Sequence, residues 1–130
     1  MFEFLKERGL RFYEEAKGDS EKGYYDFCLF HTEQMLQLLL KYLIAIKTDD
    51  FPRTHSLSRL FKDVAKLYGE KVMNLYRENV STITALHEAY TGARYIDVEF
   101  DKEIAAEVLK FGEKFLKLLE ELAHNGYGDS

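Results

Sequence analysis

The stretch from about residue 20 to residue 47 constrains the fold more than any other, because it is apolar around most of a helical circumference. Tyr24, Phe27, Phe30 or His31, Gln34, Leu38, Lys41 and Ala45 recur at three- and four-residue steps, and Cys28, Met35, Leu39, Tyr42 and Ile46 widen the stripe. Such a helix has no wide polar side to turn to water, so it needs two or more neighbours and belongs at the centre of a bundle. Asp19 or Ser20 is placed to cap its first turn, with Glu21 against the positive end of the helix dipole. Asp49-Asp50-Phe51-Pro52 ends it, since Pro52 disfavours helical geometry in the residue before it.

The rest of the chain supplies the neighbours. Residues 2–17 set Leu5, Phe12, Tyr13 and Ala16 near one side of a helix that Gly18 can terminate. Ser56 can cap a third helix carrying Leu57, Leu60, Phe61, Val64, Ala65 and Tyr68, which stops at Gly69. A fourth helical region, residues 70–93, carries Val72, Leu75, Tyr76, Ile83, Leu86, Ala89 and Tyr90, and its polar stretch Glu78-Asn79-Val80-Ser81-Thr82 predicts a bend or a split. Residues 95–100 alternate as a strand would, but one unpartnered strand is marginal, so an extended linker is expected. Asp101 caps a last helix through Ile104, Val108, Phe111, Phe115, Leu118, Leu119 and Leu122, ending near His124. Residues 125–130, with two glycines and no periodicity, are expected to form a flexible tail. The pattern therefore predicts an all-α fold, an antiparallel up-and-down bundle of four to five helices, as one domain over residues 1–124.

Composition narrows the function. A hydrophobic content of 46% is too high for a disordered chain. A net charge of −5 creates no general field for polyphosphate, so a nucleic-acid role would need a local basic patch. The apolar run Met35–Leu40 is interrupted by Gln37 and followed by Lys41, which excludes it as a membrane span, and the charges spread through residues 3–8 argue against a signal peptide. The single cysteine, Cys28, can form neither an internal disulfide nor a thiolate metal site, and fits a reducing, cytoplasmic compartment.

The chain has no Gly-rich phosphate loop, no paired-cysteine motif and no His-Glu-x-x-His helix, so no catalytic residue, metal or cofactor is assigned. Cys28 and His31 are three apart on one helix, where an imidazolium could lower a thiol pKa, although a buried free cysteine is ordinarily inert. Adjacent carboxylates such as Glu120 and Glu121 diverge by about a hundred degrees around a helix and cannot share a substrate. Two clusters carry more information. Arg53-Thr54-His55-Ser56-Leu57 gathers a cation, an imidazole and hydroxyls at a helix N-terminus, where free amides favour an anion. Ala93-Arg94-Tyr95 offers a guanidinium for phosphate beside a ring that can stack on a base.

Three segments in order resemble the HEPN family, the higher eukaryote and prokaryote nucleotide-binding domains. The run from Phe30 to Lys41 is similar to the family's long second helix, Thr54-His55-Ser56-Leu57 to its Thr-His-Asp-Leu helix start, and Tyr90-Thr91-Gly92-Ala93-Arg94-Tyr95 to its Tyr-x-x-x-Arg-Tyr signature. The resemblance implies a helical bundle, frequent homodimerisation and a small nucleotidyltransferase partner, sometimes within a toxin–antitoxin module. It nominates Arg94, Tyr95, His55 and Lys41 as nucleotide- or anion-binding residues. Some members are RNA-cleaving toxins with an Arg followed, after four to six intervening residues, by His; here the corresponding positions after Arg94 are Glu99, Phe100 and Asp101. Gln37 and Ser56 stand where relatives carry acidic residues, and Ile96 where Pro is common. The resemblance therefore favours a non-enzymatic nucleotide- or partner-binding protein. A metal-independent ribonuclease using Arg94 with His87 or His55 across a dimer, and a pure dimerisation module, are the alternatives.

Overall fold

The computed structural model describes residues 1–92 and 100–128, the last four as backbone only. Among the described residues there are six helices and no strand: α1 (Glu3–Glu21), α2 (Tyr25–Thr48), α3 (Leu57–Tyr68), α4 (Glu70–Glu78), α5 (Val80–Gly92) and α6 (Lys102–Gly128). The helix α2 is the hub, packing against α1, α3, α5 and α6. Its buried residues run around the cylinder, from Cys28 and Leu29 through Leu36, Leu39 and Leu40 to Leu43 and Ala45, as an all-round apolar helix requires.

Two glycines set how closely α1 and its neighbours approach. A Cβ on Gly9 would come within 2.8 Å of the Leu39 side chain, and one on Gly112 within 2.9 Å of the Tyr13 ring. Both positions thus let helices meet where any larger residue would force a shift. Tyr13 also donates its hydroxyl proton to the Leu109 carbonyl at 3.3 Å, tying α1 to α6. At the other end of the core Phe61 packs on Tyr76, Phe111 and Phe115, with ring centroids 5.7, 6.3 and 5.9 Å away.

The fold class is the expected α-bundle, and the helix count is six instead of four to five because the fourth helical region divides at Asn79. There the Asn79 amide bonds the Tyr76 carbonyl, and its side chain bonds that of Leu75. Ser56 caps α3 by accepting from the Arg59 amide at 3.2 Å, and Asp101 caps α6 by accepting from the Ile104 amide at 2.8 Å, both as expected. The first turn differs. Gly18 lies inside α1, which continues to Glu21, and the chain reverses at Gly23 with φ +81°. Asp19 and Ser20 therefore cap nothing on α2, because both lie in the last turn of α1; α2 starts at Tyr25 with no side-chain cap, and the Asp19 carboxylate meets His31 instead. The α6 backbone also continues four residues past His124, to Gly128.

Candidate functional site

Within the hub helix, Glu33, Gln37 and Lys41 are buried although polar, and their four-residue spacing stacks them on one face. Burial of such groups is unfavourable unless partners are supplied. Gln37 supplies most of them. Its Nε2 donates to Glu33 Oε2 at 2.5 Å and to the His55 carbonyl at 3.3 Å, while its Oε1 lies 3.2 Å from His55 Nδ1. Gln34 adds a further bond to Glu33 Oε1 at 2.9 Å.

This network assigns the His55 tautomer. With the Gln37 amide nitrogen committed to two acceptors, its oxygen must accept from Nδ1–H, which leaves the neutral ring's lone pair on Nε2. An imidazole held at one nitrogen, and without a bond at the other among the described residues, can bind an anion when protonated or accept a proton when neutral.

The electrostatics of the ladder are unusual for so apolar a helix. Burial pushes the Glu33 carboxyl up to about 7, against the hydrogen bonds from Gln37 and Gln34 and the charge of Lys41, all of which pull it down. Burial, followed by the charge of Arg53, holds the Lys41 ammonium below the ordinary lysine value, with Glu33 acting in the opposite direction. The charge of Arg53, in the connection between α2 and α3, is thus felt at Lys41. The Arg53 guanidinium is positioned over the Phe51 ring, 4.5 Å from its centroid.

A line of rings borders this polar face. His55 stacks on Tyr90 at 5.9 Å, Tyr90 on Phe30 at 6.3 Å with planes only 5° apart, and Phe30 meets His31 edge-on at 5.6 Å. His31 stacks in turn on Phe12 and on Phe27, the latter 54% exposed. The His31 ring nitrogens face Asp19 at 2.6 Å and Glu15 at 3.4 Å. That occupies the imidazole that could have activated Cys28, whose thiol is fully buried and pushed up to about 11 by burial and by Asp19.

Of the nominated residues, His55 is bonded to Gln37, one turn before Lys41 on the same face of α2. Arg94 and Tyr95 lie outside the described residues, two and three positions beyond the end of α5. His87 is exposed and lines a separate cavity of about 190 Å³ with Ser56, Ser58, Tyr76, Ile83 and Thr84. Sequence reasoning missed Tyr90 as the ring under His55 and Glu33 as a buried carboxyl. The usable signal was three polar residues four apart in an otherwise apolar helix.

The HEPN domain profile matches residues 2–122 of the 130-residue chain. The chain belongs to the HEPN family. No curated protein and no solved structure matches it. The HEPN match spans all six helices except the end of α6, so the polar ladder, the His55 connection and the ring line all fall within the HEPN domain. Among its described residues no helix is long and apolar enough to cross a membrane, and no cluster of His, Cys, Asp and Glu side chains is arranged to hold a metal ion.

Proposed function

We propose that this HEPN protein binds a nucleotide through its phosphates at the face formed by α2, the α2–α3 connection and the end of α5. The observation that carries the reading is the buried polar ladder Glu33, Gln37 and Lys41, bonded through Gln37 to His55, on a helix otherwise packed with leucine, with the charge of Arg53 acting on Lys41 from the α2–α3 connection. A bound anion offsets the charge of both cations, and phosphate is the anion that a nucleotide brings. His55, fixed at Nδ1 by Gln37, adds a donor when protonated, and Tyr90 backs it with a ring. Arg94 is assigned a phosphate contact and Tyr95 a base-stacking role because the family signature begins at Tyr90, at the edge of this same face.

On this reading the protein acts as a homodimer and works with a small nucleotidyltransferase that makes or consumes the same nucleotide. Equilibrium binding of a fluorescent ATP analogue tests the nucleotide site. Wild type should bind, with at least tenfold loss in Arg53→Ala and Arg94→Ala; equal binding by all three proteins would refute it.

One observation favours a second reading, a metal-independent ribonuclease. Nε2 of His55, unbonded among the described residues, is the atom that would take the proton from a ribose 2′-hydroxyl as its oxygen attacks phosphorus and the 5′-oxygen leaves with a proton from water, with Arg94 stabilising the phosphorane charge. A 2′,3′-cyclic phosphate product, lost in His55→Ala, would establish it. Uncleaved RNA at micromolar protein would reject it.

A further inference from the structure

The α3–α4 hairpin reverses the charge of the rest of the chain. Residues 57–78 hold five basic side chains against three acidic ones, a balance of +2, whereas the remainder of the chain stands at −7. The two helices enclose a groove of about 390 Å³ closed at Gly69, where φ is +103°. Ala65 and Met73 form its partly buried floor, and Lys62, Lys66 and Arg77 stand at its rim.

The rim charges are poorly neutralised from within. Arg77 reaches Glu70 at 3.9 Å with both side chains exposed, and a pair of that kind contributes little. Arg59 turns to Asp63 and Lys71 to Glu121, away from the groove's lining. Neither Lys62 nor Lys66 has a carboxylate within 4 Å among the described residues; Lys62 has only the Tyr76 ring, 5.9 Å away. Lys62 and Lys66 are one turn apart on α3, with Cβ atoms about 6 Å apart, so they present two cations on one side of the groove.

We propose that this groove docks an acidic amphipathic helix of a partner protein, with carboxylates four residues apart meeting Lys62 and Lys66 and an apolar side chain seated on Ala65 and Met73. The apolar floor favours a peptide over a nucleic acid, which would want an open ring on which to stack a base. The ring at hand is not open: Tyr76 packs on Phe61 at 5.7 Å and donates to Ser58 Oγ at 3.2 Å. This inference concerns a surface apart from the proposed nucleotide site and stands whether or not that site binds nucleotide.

The test is fluorescence anisotropy with a labelled peptide about two heptads long, carrying leucine on one helical face and glutamate on the other. Single-stranded oligouridine of about twelve nucleotides is titrated in parallel. Wild type should bind the peptide, more weakly as salt rises, and the double variant Lys62→Glu, Lys66→Glu should lose at least tenfold. Met73→Glu should also lose binding, which separates the floor from simple charge attraction. The same variants should leave binding of the fluorescent ATP analogue unchanged. Equal peptide binding by wild type and the double variant would overturn the proposal. So would oligouridine bound more tightly than the peptide and released by the same lysine substitutions, because the groove would then be a phosphate-backbone surface.

Discussion

Two faces of one helix are buried to the same degree and for opposite reasons. Leu29, Leu36, Leu40 and Leu43 are 0% exposed and gain by leaving water. Glu33 is also 0% exposed and Lys41 only 9%, and that burial shifts the pKa of each against its charged form. The apolar face needs no explanation beyond the bundle it holds together. The polar face opposes folding, and a leucine at Glu33 or Lys41 would match the pattern of its helix better. Residues that fit their surroundings this poorly, one of them bonded through Gln37 to His55, are where function is most economically sought.

The contrast can be broken most severely on the apolar side. Phe61→Ala, which empties the junction with Tyr76, Phe111 and Phe115, is expected to cost about 3–5 kcal/mol in urea unfolding. On the polar side the largest effect is a pH dependence. The folded state retains a proton on Glu33 up to about pH 7, while the unfolded chain releases it near 4.5. Stability from this group is therefore complete below pH 4.5 and is lost as the pH rises through 7, by on the order of 3 kcal/mol. Glu33→Gln should flatten that decline; an identical slope in the variant would mean that Glu33 is solvated. Lys41 acts in the other direction at alkaline pH, since its lowered pKa makes folding more favourable as the pH rises towards 10.5.

Gln37→Leu should cost about 1–3 kcal/mol, because it leaves Glu33 Oε2 without its donor and removes the partner of His55 Nδ1. Nitrogen chemical shifts of the imidazole should show the loss of a single tautomer. The smallest effect is predicted for the Lys62→Glu, Lys66→Glu double variant, whose thermal stability should stay within about 0.5 kcal/mol of wild type at each site, because both side chains are exposed.

The helices were legible because hydrophobic period and capping chemistry act locally: Ser56 and Asp101 each cap the helix expected of them. The start of α2 was not, because Asp19 had two possible partners and only the folded hairpin brings His31 to it. Gly9 and Gly112 were invisible as close-approach positions, since nothing in a linear pattern says which helix will lie against a glycine. The site was half legible. His55 and Lys41 were named from the chain, but the link through Gln37, the repulsion from Arg53 and the stacking of Tyr90 depend on the path of residues 49–56 over α2.

The central claim, that the cationic polar face of α2 is kept for an anionic ligand, is tested most directly by thermal unfolding of wild type and Lys41→Met with and without ATP. Removing a buried ammonium beside Arg53 should leave the free variant at least as stable as wild type at neutral pH. With ATP at a hundred times its dissociation constant, wild type should gain about 2.7 kcal/mol and the variant little or nothing. An equal ATP-dependent gain in both proteins, or a gain in neither, would contradict the account.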